Sequence, residues 1–188
     1  SQLEPQLTGE EGEFDSISES VSAQVHGSWA STIQRGTEAT LIYQDIIEQM
    51  KIKERPVMVL GDLNDTMTSP VLQSLVGGQY LNRLDGKSVS SMAAGHQRAI
   101  KRFSLFDAFE LQEKIAPADR KPTHYFANKG NVLDYILLSK DFNAAYDRSL
   151  AAVSAYHVND DHLTNPHPEN DAECSDHAPV LVEVDIRF

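Results

Sequence analysis

Only one cysteine, Cys174, occurs in the 188 residues. An intramolecular disulfide is therefore impossible, as is a zinc site built from several thiolates. Apolar runs are also short. None approaches the roughly 18 residues a membrane helix requires, which excludes insertion through such a helix within this sequence. Ser1 to Thr8 lacks the basic start and apolar stretch of a secretory signal, and the compartment stays open. Positive charge is scarce, with 16 Lys and Arg against 28 Asp and Glu and a net charge of −12. That balance argues against a broad electrostatic grip on nucleic acid. It leaves room for a local cleft in which crowded carboxylates recruit a divalent cation. No Gly-x-Ser-x-Gly or phosphate-loop pattern occurs, which disfavours a serine hydrolase and a nucleotide kinase.

What is present suffices for one acidic domain with a real core. Residues 1–28 read as a polar leader or surface loop, because Gln2 to Gln24 is rich in Glu, Ser and Gln without a sustained period. A helix is expected from about Thr32 to Lys53, with Ala39, Ile42, Tyr43, Ile46, Ile47 and Met50 on one apolar face. Arg55-Pro56 stops it, and Val57 to Leu60 reads as a short buried strand ended by Gly61. Ser69 is placed to cap a helix that starts at Pro70, runs through Val71 to Val76 and ends at Gly77-Gly78. Tyr80 to Lys101 reads as a loop, and Leu105, Phe106 and Phe109 fall at helical steps.

Thr123 to Ala127 and Val132 to Leu138 read as two strands of a hairpin turning at Asn128 to Asn131. The second is apolar on both faces, which predicts a central strand, and Asp134 is its odd member. Leu150 to Val158 and Val180 to Ile186 supply two more strands. Helices alternate with strands early, whereas later strands lack long helices between them. A layered α/β (α+β) protein with antiparallel pairing follows.

Three constellations could carry chemistry. Gly61-Asp62-Leu63-Asn64-Asp65 stands where a strand gives way to a loop. Its carboxylate suits proton acceptance from water and its carboxamide suits donation to a phosphate oxygen, although an Asx turn would use the same residues. Asp134 lies on a buried strand and needs a partner, either a cation or a structural salt bridge. Ser175-Asp176-His177-Ala178-Pro179 opens the last strand, where adjacent Asp and His side chains are expected to diverge toward different partners. His157, His162 and His167 with Asp160, Asp161 and Asp171 match no metal spacing and read as a polar loop.

Gly61 to Asp65 after a Val/Leu strand, Leu133-Asp134-Tyr135-Ile136-Leu137-Leu138-Ser139 and Ser175-Asp176-His177-Ala178-Pro179-Val180 resemble, in content and order, three motifs of the endonuclease/exonuclease/phosphatase superfamily, the DNase I-like metallophosphoesterases. Arg35 and Glu38-Ala39 resemble it less specifically. The resemblance covers about residues 29–188 and implies the C-terminal half of such a domain, part of a four-layered α/β sandwich of mainly antiparallel strands with flanking helices. The family's earlier Asn and Glu motifs have no counterpart here. By motif position, Asp62 would orient or deprotonate the attacking water and Asn64 would contact the phosphate. Asp134 would pair with His177, which would stabilise the transition state. Asp176 would contact a divalent metal, Mg²⁺ first, with Mn²⁺ or Ca²⁺ as alternatives. Thr123 and Tyr125 would border the substrate pocket. The implied partner is a phosphate ester, with nucleic acid as one class. Apolar surface left by a half domain implies self-association. The alternative is a noncatalytic binding or scaffold domain that kept the fold.

Overall fold

The computed structural model describes residues 9–53, with side chains from Asp15, together with 55–76, 83–112, 120–167, 169, 171 and 173–187. The chain divides into two units, Ser1–Glu38 and Ala39–Phe188. Helix α1 (Gly9–Ile52) runs through the boundary. Within the first unit, residues 9–38 are helical, where a loop was expected over Gln2 to Gln24. No proline interrupts this stretch, so nothing in it breaks a helix. Ser18, Ser20, Thr32 and Thr37 donate their hydroxyls to carbonyls three or four residues earlier. Ile17, Val21, Val25, Trp29 and Ile33 are exposed. These five recur at four-residue steps, an apolar stripe along one side of the helix that the reading of a polar leader does not register.

In the second unit, the continuation of α1 buries Ala39, Ile46 and Met50, as its periodicity predicts, while Ile42 is exposed. Tyr43 donates its hydroxyl to the Phe103 carbonyl at 2.8 Å. Strand β1 (Met58–Asp62) follows, then helix α2 (Pro70–Leu75). The Ser69 hydroxyl accepts from the Leu72 amide at 3.2 Å, the cap expected of Ser-Pro at a helix start. The expected stop at Gly77-Gly78 lies outside the described residues.

The segment read as a loop up to Lys101 contains more order than that. Strands β2 (Arg83–Leu84) and β3 (Lys87–Ser88) form a small hairpin. Asp85 and Gly86 join them with φ of 49° and 74°, the backbone that an Asp-Gly turn adopts readily. A 3₁₀ turn at Val89–Ser91 and helix α3 (Ala94–Lys101) complete it. The helical steps of Leu105 and Phe106 are likewise overridden, because β4 (Leu105–Asp107) is a strand. A short apolar run has no period of its own strong enough to choose, and pairing decides it.

The next hairpin is also displaced from its expected position. Strands β5 (His124–Phe126) and β6 (Lys129–Asn131) pair across a two-residue turn at Ala127-Asn128, with Ala127 at φ 52°. Gly130 thus sits inside a strand instead of in the turn. Its place is set by the Pro122 ring, which occupies the space a Cβ would need. Strand β7 (Asp134–Ser139) does not pair with β5. It is the centre of a three-stranded antiparallel sheet ordered β1-β7-β4. Strands β8 (Ala151–Val158) and β9 (Val180–Ile186) form an antiparallel pair, with helix α4 (Asp161–Thr164) in the segment between them.

Both faces of β7 are buried, as its sequence predicts. Tyr135 and Leu137 pack with Ala39, Ile46, Met50, Val71, Leu72 and Leu75 from the two helices. Ile136 and Leu138 pack on the other side with Ala151, Val153 and the inward valines of β9. The described residues of the second unit therefore make three layers, helix on sheet on strand pair, in a mixed α/β architecture whose paired strands are antiparallel. Strand β1 differs from its expected burial. It lies at the sheet edge, with Met58 and Leu60 exposed at 45% and 64%.

Candidate functional site

The register of β1 against β7 puts Asp62 directly opposite Asp134. Directly opposed residues of an antiparallel pair share a face, so two carboxylates are held side by side where like charges repel. The Asp134 Oδ2 lies 2.7 Å from His177 Nδ1. That hydrogen bond, aided by the negative charges of Asp134, Asp62 and Asp176, raises the His177 pKa above its ordinary 6.5, against the opposing effect of partial burial. Both partners are mostly shielded, with side chains 23% and 19% exposed.

The geometry of this pair is set by backbone contacts from β5. Ala178 N donates to the Thr123 carbonyl at 2.7 Å, and His124 bridges to His177. The Thr123 hydroxyl accepts from the amides of Leu133 and Asp134 at 3.0 and 3.1 Å. The Ser175 hydroxyl accepts from the His177 amide at 3.1 Å. Thr123 is thus fully buried and supports the site from behind instead of bordering a pocket. Tyr125 does not face the site either. Its hydroxyl donates to Asp160 Oδ2 at 2.7 Å, and Lys121 donates to the other oxygen of the same carboxylate at 2.6 Å. These hydrogen bonds, Lys121 first, hold the Asp160 carboxyl below its usual pKa.

At the rim, Asp62 Oδ1 accepts from the Asn64 amide at 2.8 Å, and Asn64 takes φ of 50°. This is an Asx turn, and it leaves both side chains on the exposed side of the strand end. Asp134 and His177 line a cavity of about 380 Å³, together with Leu60, Ile136, Ser175 and Val180.

Asp62, Asp134 and His177 each bring a ligand atom within 4.8 Å of the others. Two opposed carboxylates with one open side fit a divalent cation, which would relieve their repulsion and keep water among its ligands. Asp176 and His177 do not diverge as expected. They converge with His124, again within 4.8 Å. The sequence reading missed His124. Strand alternation is the signal that could have found it, since Thr123 and Tyr125 point one way and the residue between them points the other. Its ring lies 4.9 Å from that of His177, tilted by 39°. Of the histidines read as a polar loop, His157 lies on β8 and His162 on α4, and both find local partners. His157 meets Glu183 at 3.0 Å and His162 meets the Ser175 carbonyl at 3.0 Å.

The family model for the endonuclease/exonuclease/phosphatase family matches residues 7–177. No curated protein matches the chain. A crystal structure of the endonuclease/exonuclease/phosphatase from Bacteroides vulgatus is similar at 18% identity and a TM-score of 0.48, over 81% of this chain and 44% of that one. On the family match, which spans most of its length, the chain belongs to the endonuclease/exonuclease/phosphatase family of metal-dependent phosphoesterases.

Proposed function

We propose that this chain hydrolyses a phosphodiester, as a nuclease or related phosphodiesterase, by in-line attack of water. The observation that carries this reading is the His177–Asp134 hydrogen bond with the Asp62 carboxylate alongside, at a cavity open to solvent. Asp62 stands exposed at the strand end, where it orients water and accepts its proton. Asn64, two residues on, offers its carboxamide to a phosphate oxygen. His177 uses Nδ1 on Asp134, which fixes the ring and leaves Nε2 to donate toward the phosphate. The same hydrogen bond raises its pKa and so favours the protonated ring, which suits it to face negative charge as it develops. Asp134 acts through His177 as a positioning residue. Asp176 and the Asp62–Asp134 pair supply oxygens for a divalent cation, with Mg²⁺ first and Mn²⁺ or Ca²⁺ as alternatives. When bound, such an ion neutralises phosphate charge.

The test is hydrolysis of bis(p-nitrophenyl) phosphate, DNA and RNA with Mg²⁺ or Mn²⁺. At least one substrate is expected to be cleaved, with loss on chelation and a fall of about 10²-fold or more in Asp62→Ala. Because Asp62 is exposed, the folded fraction should not change. Absence of hydrolysis, or equal rates in Asp62→Ala, rejects the reading in favour of a noncatalytic binding domain.

A further inference from the structure

The segment that joins β8 to β9 is gripped near both of its ends by one short stretch of chain, residues 121–125. Near its end, the Thr123 carbonyl accepts from the Ala178 amide at 2.7 Å. Near its start, Lys121 and Tyr125 each donate to one oxygen of the Asp160 carboxylate, at 2.6 and 2.7 Å. Asp160 is buried, and a buried carboxylate is costly unless its oxygens find donors. Both do. Lys121 is half exposed, so solvent screens the ion pair and its attraction adds little to stability. What two donors on two oxygens fix is direction.

The backbone of Asp160 opens helix α4. Its carbonyl accepts from the amides of Leu163 and Thr164, both at 3.0 Å, and from the Thr164 hydroxyl at 3.1 Å. A helix of four residues is too short to hold by itself, so the anchored carboxylate decides where this one lies. From α4 the path leads back to the site. His162 Nε2 meets the Ser175 carbonyl at 3.0 Å, a contact in which the ring nitrogen must be the donor. The Ser175 hydroxyl in turn accepts from the His177 amide at 3.1 Å. The Asn159 amide donates to the Pro179 carbonyl at 3.2 Å and closes the base of the segment.

We propose that Asp160 is a positioning residue for His177, fixing through His162 and Ser175 where that ring stands, with Lys121 and Tyr125 as its anchors. The proposal rests on the reading of His177 as the group that faces the phosphate. It also gives Tyr125 a part in the site that it does not touch.

The test uses the full chain in two arms. The His177 ring signals are followed by NMR in the metal-free protein, and kcat and KM are measured on bis(p-nitrophenyl) phosphate with Mg²⁺ or Mn²⁺. Asp160→Asn keeps the shape but leaves one acceptor for two donors. It should move the His177 ring signals while the amides of Leu137 and Leu138 in the core stay in place. A displaced ring should lower kcat by about tenfold or more. KM should stay within about twofold, because ground-state binding is untouched. Tyr125→Phe, which loses a single hydroxyl, should act in the same direction and keeps the test open if Asp160→Asn folds poorly. His162→Ala should match Asp160→Asn, and His162→Gln, whose amide can donate to the Ser175 carbonyl, should restore most of the loss. Since both residues act along one path, Asp160→Asn/His162→Ala should lose little more than the worse single variant, whereas independent effects would multiply. The proposal is overturned if the His177 signals stay in place in Asp160→Asn, Tyr125→Phe and His162→Ala. It is equally overturned if the losses multiply, or if His162→Gln is as poor as His162→Ala. Absence of hydrolysis by the wild type would reject the function given to the site, and the ring signals would still decide whether Asp160 positions His177.

Discussion

The Asp134 carboxylate lies 2.7 Å from Nδ1 of His177, joining the central strand to the segment that opens the last one. The pKa of His177 is raised above 6.5, first by this hydrogen bond and then by the charges of Asp134, Asp62 and Asp176. Among the described residues, the ring that lies against it is that of His124. A raised folded-state value means that the folded form binds the proton more tightly than the unfolded chain does. The resulting stability is fully present below about 6.5 and is lost as pH rises through the folded-state value. In the metal-free protein, Asp134→Asn should lower the His177 pKa in an NMR titration and flatten the fall of urea stability across that window. An unchanged titration would show that the hydrogen bond does not govern the ring.

Thr123 supports the same pair from inside the fold. Its buried hydroxyl accepts from two amides, those of Leu133 and Asp134. Thr123→Val keeps the shape and strands these donors, so it should cost about 1–3 kcal/mol in chemical unfolding. Thr123→Ser retains the acceptor and should keep the His177 ring signal where the wild type has it, whereas Thr123→Val should move it. Equal behaviour of the two variants would mean that the hydroxyl does not position Asp134.

How far the fold could be read from the sequence depended on whether a signal was local. The apolar run on both sides of Asp134 marked β7 as central because burial on two faces leaves no polar alternation. Ser69-Pro70 marked a helix start because the cap needs only its own neighbours. The exposed edge position of β1 left no trace, since an edge strand can carry the same Val and Leu residues as a central one. The spacing of Leu105, Phe106 and Phe109 fits a helix, yet so short an apolar run fits a strand as well, and pairing of Leu105–Asp107 with β7 decides it. Asp134 and His177 stand in recognisable motifs. His124 stands in none, and its meaning arises only from its bridge to His177.

The two faces of β7 give a paired prediction. Leu137 and Leu138 are both fully buried, the first against α1 and α2, the second against β8 and β9. Each change to Ala should cost about 2–5 kcal/mol. Their local effects should separate in hydrogen exchange. Leu137→Ala should loosen the amides of α2, and Leu138→Ala those of the β8–β9 pair. Loosening of both regions by either variant would mean that the layers open as one unit.

Arg120 poses a different energetic question, because its guanidinium is paired with the buried carboxylate of Asp107 and is also held by aromatic rings. It donates to Asp107 and to the Tyr156 hydroxyl. It also lies 4.8 Å from the Phe109 ring centroid and 5.0 Å from that of Tyr135. The Asp107 side chain is 1% exposed, so removing the cation leaves a carboxylate that water cannot reach. Arg120→Met should therefore cost about 3–5 kcal/mol, mostly through that stranded charge. Asp107→Asn/Arg120→Met removes the charge while keeping an acceptor for the Phe109 amide, which Asp107 Oδ1 meets at 3.1 Å. The double variant should recover much of the loss in urea unfolding. If it is as unstable as Arg120→Met alone, the stacking of the guanidinium on its rings outweighs the ion pair.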